Sequence, residues 1–516
     1  MNSRPRQFAR RFAYAACAAV AMCGVGLSVC HAQLTSNAVL VERLTEAAEA
    51  PFVTLREIGR SVEDRPLWAV NIFRQAANSD NAIVVLLIGQ QHGDEPAGAE
   101  ALLDIVDDFA AAPASLPAGL DLWVVPRVNP DGAHTEQRRN ANDVDLNRDH
   151  VVLGQPETRA LHRLAQTIQP HVAVDCHEFR RDTGDYLKQG WTEWPLIMMD
   201  TANLPIMPDA LYEFGVEVCA EAEEDMHSAG FNYARYFVGS CPDPQATGEL
   251  RYSTLDPDDC RNALSAYGTL SFIIESGIHR AAEDPHADLP RRVAASRLLL
   301  SRFVRDTELL ARAKHTAEAA RRSPAPALIP TNVLWANLKP RLTDLPVIER
   351  VTGRTLIVST PTMMHDRVVK SAVPTPRGYV VHADAAPVFA ELLDAHAVPY
   401  RRTVASDAFP VEAVDLERLE DAFDEVYSRY GGRQITRPRP VAVTVYPAGS
   451  LVIDAAQLTP VDSRRAALVL EPRQLYGLYQ WPTFRSLIPP DGTLPVARLL
   501  AVDAVKTPPA LESRRD

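Results

Sequence analysis

No low-complexity tract and no internal repeat marks this chain, which argues against wholesale disorder. Positive charge is in deficit, with 53 lysines and arginines against 66 aspartates and glutamates and a formal charge of −13. An acidic surface of that kind excludes nucleic acid and anionic lipid as natural partners. Cysteine is scarce as well. Of seven in all, Cys17, Cys23 and Cys30 fall at the extreme N-terminus, leaving Cys176, Cys219, Cys241 and Cys260 for the folded body. Four cysteines in an oxidising compartment allow up to two disulfides. Cys241 and Cys260, which flank a loop-rich stretch, are the pair expected to join. Cys176 lies inside an apolar strand and is expected as a buried thiol.

What is present begins with a leader. Arg4, Arg6, Arg10 and Arg11 precede an apolar run from Phe12 to Val29, followed by Cys30-His31-Ala32. A basic start, an apolar stretch and small residues at −3 and −1 describe a secretory signal peptide over 1–32, cut after Ala32. A retained anchor is the alternative, because the run approaches the ~18 residues that just span a bilayer. Lipidation at Cys30 is disfavoured by the bulky Val29, and Arg10-Arg11 alone is a weak twin-arginine signal. Cleavage removes four arginines and no acid, so the mature chain is more acidic still. The expectation is export, to the periplasm or beyond the cell, with a membrane as partner only if the leader is retained or lipidated.

The remaining length suits two domains. Ala82–Ile88, Leu122–Val125, His171–Asp175 and Leu270–Glu275 read as strands buried on both faces. Glu95–Phe109, Glu157–Thr167, Asp209–His227 and Pro290–Ala319 carry helical periodicity. Alternation of this kind predicts an α/β fold over 33–322, three α/β/α layers around a mixed, largely parallel sheet. Functional residues then gather at the carboxyl ends of its strands. Ser323-Pro324-Ala325-Pro326 and Pro330 suggest a linker over 323–330. A smaller β-rich or mixed accessory module is expected over 331–516. Thr355–Val358, Tyr379–His382, Val441–Tyr446 and Ala467–Leu470 read as its strands, and Ala386–Ala395 and Leu416–Arg429 as its helices.

At the end of the first buried strand stands Gly89-Gln90-Gln91-His92-Gly93-Asp94-Glu95-Pro96. His92 and Glu95, three apart at a strand-to-helix turn, can reach one point, and an imidazole with a carboxylate makes a zinc pair. The bland reading is a capping turn, with Glu95 favoured by the helix N-terminus. His177 follows another strand, Val172-Ala173-Val174-Asp175-Cys176, and is by itself a structural histidine or a third ligand. Between them, Asn129-Pro130-Asp131-Gly132 is a turn. Asn147 and Arg148 offer donors suited to a carboxylate, or to ordinary surface bonds. Leu270–Ile274 delivers Glu275, either paired structurally or poised as an acid/base group.

Taken in order, HxxE, NPDG, Arg138-Arg139-Asn140, Asp145-Leu146-Asn147-Arg148, the strand-end His177 and the strand-end Glu275 resemble the zinc carboxypeptidases of the A/B type. The resemblance spans roughly residues 50–310, and Gln155–Ala160 is similar to the family's helix start. It implies one zinc per chain on His92, Glu95 and His177. Glu275 matches the general base and Arg138 the group that polarises the scissile carbonyl. Asn147 and Arg148 match the clamp on a free C-terminal carboxylate of a peptide substrate. Tyr252 is favoured by spacing over Tyr267 as the tyrosine that covers the substrate. A specificity pocket is implied near Asp258, Asp259, Cys260 and Arg261, where Asp259 and Arg261 argue for opposite preferences.

The chain also departs from the family pattern. Asp149-His150 stands where the family commonly has Asn-Phe, and Asp143 where it has Gly. Pro376–Val381 and Tyr446–Ser450 resemble segments that follow the catalytic domain in some large bacterial members. Two other functions remain open at this point. One is a zinc amidase acting on cell-wall peptides or N-acyl amino acids, and the other a non-catalytic binding protein on the same fold.

Overall fold

The computed structural model describes residues 34–74, 82–242, 250–280, 282–339, 341–420, 433–474 and 477–501. The leader expected over 1–32 lies outside the described residues. Among those described, no helix is long and apolar enough to cross a membrane.

Strands of the first half follow one another as β1 (Val53–Arg60), β2 (Pro66–Phe73), β3 (Ile83–Gly89), β4 (Leu120–Val125), β5 (Val172–Arg180), β6 (Trp191–Glu193), β7 (Ile197–Thr201), β8 (Tyr233–Arg235), β9 (Phe237–Gly239), β10 (Leu250–Tyr252) and β11 (Leu270–Ile278). Eight of them form one sheet in the order β1-β2-β4-β3-β5-β11-β7-β8. The pairs β3–β4, β3–β5, β5–β11 and β7–β8 are parallel, while β1–β2, β2–β4 and β7–β11 are antiparallel. All nine residues of β11 are buried, so both faces of the sheet centre are covered, as expected for continuous apolar runs.

The helices of this half are α1 (Asn37–Ala47), α2 (Pro96–Ala111), α3 (Pro130–Thr135), α4 (Pro156–Ile168), α5 (Gly184–Lys188), α6 (Asp209–Ser228), α7 (Cys260–Ser265), α8 (Leu289–Arg305) and α9 (Thr307–Arg322). The single helix expected over Pro290–Ala319 is two. Asp306 leaves helical geometry and its carboxylate caps α9 by accepting from the amides of Glu308 and Leu309.

Beyond α9 the chain forms β12 (Leu328–Ala336), β13 (Thr343–Glu349), β14 (Thr355–Thr360), β15 (Met363–Met364) and β16 (Asp366–Pro374), then α10 (Ala386–Ala395) and α11 (Pro460–Leu470). A six-stranded antiparallel sheet is built from Arg401–Arg402, Leu451–Asp454, Gly378–Val381, Val496–Leu499, Asp407–Glu412 and Ala442–Tyr446, in that order. Two expectations fail here. Ala467–Leu470 ends α11 rather than forming a strand, because Thr459 and Asp462 make a capping box that starts a helix upstream of the apolar run. The start of the helix expected over Leu416–Arg429 is instead a strand, Val414–Glu420, and the rest lies outside the described residues.

The two halves share their packing. β13 adds to β6, β15 adds to β10, and one apolar cluster contains both Leu299 of α8 and Phe389 of α10. The expected Cys241–Cys260 disulfide is absent among the described residues: no cysteine is joined to another. Cys241 packs with Tyr186, Val347 and Val358, whereas Cys260 lies in the main apolar cluster. Cys176 is buried, as expected of a core thiol.

Candidate active site

Two strands, β5 and β11, and the turn that follows β3 converge on a single buried point; His177 and Glu275, expected at strand ends, lie three residues inside theirs. Parallel pairing sets Glu275 of β11 directly beside His177 of β5, and pairs Gly89 at the end of β3 with Cys176. His92 follows three residues after Gly89. Its turn is held against the Asn129–Gly132 turn, where Asn129 caps α3 by accepting from the Gly132 amide. A Cβ on Gly93 would lie 2.0 Å from the carbonyl carbon of Gly132, so only glycine permits that approach.

Glu95 sits at the N-cap of α2, yet makes no side-chain cap. Its carboxylate turns inward, 2.9 Å from Nδ1 of His92 and 3.0 Å from Nδ1 of His177. The two Nδ1 atoms are themselves 3.0 Å apart. Behind each ring stands a carboxylate: Asp145 lies 3.0 Å from Nε2 of His92, and Asp175 2.8 Å from Nε2 of His177. With a cation bound, each Nε2–H would donate backward and each Nδ1 lone pair would be free for the metal beside the Glu95 carboxylate. Donor atoms of His92, Glu95 and His177 all lie within 4.8 Å of one another. Two imidazoles and one carboxylate, with their far nitrogens fixed by carboxylates, fit a catalytic zinc.

Arg138 reaches the same point. Its Nε and Nη2 donate to Asp145 at 3.0 and 2.9 Å, and Nη1 lies 3.2 Å from Glu95 and 3.1 Å from His92. Burial opposes charge on Glu95 and Asp145. The histidines and, at Asp145, Arg138 outweigh it and hold both carboxyls well below their usual range. At Glu275 burial dominates; with Glu95 nearby it outweighs the two histidines and the hydrogen bond from Tyr236, raising the carboxyl to about 7.

Asn147 and Arg148 are adjacent but differently engaged. The Asn147 Oδ1 accepts from the Cys260 amide at 2.8 Å, and its Nδ2 is 3.3 Å from Nε2 of His177. The Arg148 guanidinium donates to the Asn147 carbonyl among Asp145, Asp256, Asp258 and Asp259. Arg261, whose charge left the pocket reading open, is spent on Asp259 at 3.2 Å and on Ser253 at 2.7 Å.

Tyr252 and Tyr267 stand apart from the cluster. The Tyr252 ring lies beneath the Arg235 guanidinium at 3.9 Å and edge-on to Trp335 at 5.5 Å. Tyr267 bonds His162 and His396 in the core. The tyrosine that bonds Glu275 is Tyr236, which no sequence pattern singled out. Asp175 and Asp145 were also unassigned, although Asp175 had a signal: two residues before His177 on a strand, it shares that ligand's face. Asp143 takes φ 57°, explaining how it replaces the usual Gly, since aspartate tolerates the left-handed region.

A model of the family described as zinc carboxypeptidase matches residues 41–180. That span contains His92, Glu95, Arg138, Asn147, Arg148 and His177. Carboxypeptidase 2 of Trichophyton tonsurans is 41% identical over 104 residues, covering 20% of this chain and 19% of that protein. Carboxypeptidase SOL1 of Arabidopsis thaliana is 37% identical over 139 residues, or 24% and 28% of the two chains. The chain thus spans about a fifth of the length of the first curated relatives it matches. Among solved structures, a metallo-carboxypeptidase from Pseudomonas aeruginosa in complex with (2-guanidinoethylmercapto)succinic acid aligns at TM-score 0.41 and 18% identity. That alignment covers 53% of this chain and 70% of the other.

The buried charges of this site predict how the metal-free chain responds to pH. Burial raises Glu178 and Glu275 to about 7 and Glu193 to about 8. Each holds its proton more tightly folded than unfolded, so its stabilising share is lost as pH rises through the folded value. His177, held high by Asp175 and Glu95 against burial, acts in the same sense. Buried His150, His171 and His396, lowered to about 3, 4 and 4, act oppositely but only below about pH 6.5. The Tm of the metal-free chain should therefore fall between about pH 6.5 and 8.5. Calorimetry in chelator checks this, and a Tm that rises across the window contradicts it.

Proposed function

We propose that this chain is an exported zinc metallocarboxypeptidase that removes C-terminal residues from peptides. The observation that carries the reading is the convergence of both Nδ1 atoms on the Glu95 carboxylate, with Glu275 in register beside His177. His92, Glu95 and His177 hold the metal. When bound, zinc supplies a Lewis acid that polarises the scissile amide and acidifies water.

The chain's own residues do the rest. Glu275, held near neutrality by burial, takes the proton of the attacking water at its carboxylate and returns it to the leaving nitrogen. Tyr236 fixes the orientation of that carboxylate by its hydrogen bond. Arg138 donates to the oxygen on which negative charge develops, while Asp145 holds its planar guanidinium in place by a two-pronged hydrogen bond. Asn147 and Arg148 receive the substrate's terminal carboxylate, in charge-assisted bonds that offset the acidic neighbours of Arg148. Tyr252 borders the substrate rather than the reacting atoms, next to Trp335 and His365. Export rests on the leader, read as cleaved so that the mature protein begins at Gln33.

The test compares paired peptides that differ only in a free or amidated C-terminus. The exported protein, N-terminally sequenced to locate its first residue, should release single amino acids from the free form alone. Equal cleavage of the amidated peptides removes the carboxylate clamp and with it the carboxypeptidase reading.

A further inference from the structure

Behind the metal centre runs a buried chain of hydrogen bonds that leaves the carboxypeptidase half and ends in the C-terminal module. Asp175, which backs His177, accepts from Nε2 of Gln91 at 2.7 Å. Oε1 of Gln91 lies 2.7 Å from Nε2 of His150. Nδ1 of His150 is 3.0 Å from Nε2 of His162, whose Nδ1 is 2.8 Å from the Tyr267 hydroxyl. That hydroxyl meets Nδ1 of His396 at 3.1 Å, and Nε2 of His396 meets the carbonyl of Val151 at 2.8 Å. Gln91, His150, His162 and His396 are fully buried and Tyr267 is 5% exposed.

We propose that His150, His162, Tyr267 and His396 are positioning residues that hold the ligand His177 through Gln91 and Asp175, making the end of α10 a working part of the metal centre. The inference rests on the reading of His92, Glu95 and His177 as the zinc site. Its logic is sequential restraint. The His177 ring is aimed by Asp175, and Gln91 holds the same oxygen of Asp175 that His177 uses. The Gln91 side chain lies in the turn that also carries His92, and His150 holds its carbonyl end. His150 is held in turn from α4, by His162. At the far end His396 caps α10, and Gln166 of α4 ties the preceding residue by donating to the Ala395 carbonyl at 2.6 Å.

Counting hydrogens selects the test. Between the Gln91 carbonyl and the Val151 carbonyl there are five contacts, but three neutral imidazoles and one phenol bring only about four hydrogens. Burial disfavours a charged imidazole on His150, His162 or His396, and the Arg465 guanidinium, 4.1 Å over the Tyr267 ring, opposes it further. Asp175 and Asp145 favour charge only at the His150 end. Tyr267→Phe removes two contacts and one hydrogen, so the remaining three contacts are matched by three hydrogens. The variant cuts the brace and takes the donor from one buried imidazole nitrogen, Nδ1 of His162 or of His396, a modest cost at which the chain should still fold.

The experiment loads the full chain with zinc and follows release to a chromogenic chelator. Tyr267→Phe and His396→Leu should each speed release on the order of 10-fold, the lower end of what outer-shell changes cost in metal affinity. His396→Gln, whose amide can accept from Tyr267 and donate to Val151, should return to within about 2-fold of wild type. The cobalt(II)-substituted protein should show a changed visible spectrum in the first two variants and the wild-type spectrum in the third. Phe389→Leu, a core change on α10 at a ring packed edge-on to Phe484 and outside the hydrogen-bonded chain, should lower Tm without altering release. Unchanged release in Tyr267→Phe and His396→Leu overturns the brace. So does release that simply tracks Tm, Phe389→Leu included. A wild-type chain that binds no zinc removes the metal-centre reading itself, and the brace falls with it.

Discussion

Glu275→Gln is expected to keep one zinc per chain and to lose kcat by ~10²–10⁴-fold, with KM little changed. Glu275 is no ligand: the three donors converge without it, so metal content should survive the substitution. The amide is nearly the same size, and the bond from Tyr236 can pass to its oxygen. What vanishes is a site that accepts a proton. In the metal-free chain burial holds this carboxyl at about 7, and a nearby dication lowers it. The acid limb of the wild-type pH profile is therefore expected below pH 7, with rate rising as Glu275 ionises. The limb should disappear in the variant. Wild-type kcat in Glu275→Gln would assign proton transfer to another group, with Glu193, the raised carboxyl beside it, the first to examine.

Much of this site was legible because buried strands write themselves as unbroken apolar runs. Ala82–Ile88, His171–Asp175 and Leu270–Glu275 each map onto a central strand, and the strand-end rule then points to His92, His177 and Glu275. The antiparallel edge, β1 and β2, was not legible. Its outer strand alternates with polar residues and sits half-buried, so no continuous run marks it. In the C-terminal module, Ala467–Leu470 shows the limit of short apolar runs, which fit a strand or a buried helix equally until the cap upstream decides. Cysteine spacing misled for a related reason: Cys241 and Cys260 are close in sequence but pack in different clusters. Tyr236 was out of reach altogether. Placing it at Glu275 depends on β7 and β8 lying beside β11, a long-range pairing that no local pattern encodes. The bland reading of Glu95 as a helix cap failed for a geometric reason, since its carboxylate turns away from the helix to the two imidazoles.

Stripping the metal with chelator is expected to abolish activity completely, lower Tm by about 4 °C and leave the fold cooperative. The loss of activity follows from the Lewis acid, which no side chain in the cluster replaces. The modest loss of stability follows from what the three donors do without a cation. Glu95 then bonds both imidazoles, Arg138 bonds Glu95, and Asp145 and Asp175 still hold the rings from behind. Charge at the site stays paired, and the sheet around it is buried on both faces. A metal held at about 1,000 times its Kd adds about 4 kcal/mol, which a core of this size does not need in order to fold. Re-added zinc should restore full activity to the stripped wild type. His177→Ala should stay inactive at the same zinc concentration, because it removes a ligand and leaves the buried Asp175 carboxylate without its imidazole partner, held by the Gln91 amide. Global unfolding on chelation would mean that the metal builds the fold rather than entering it, as in small zinc modules. Full activity in chelator would remove zinc from the chemistry, leaving Glu275 and Arg138 to carry a reaction for which they alone are poorly equipped.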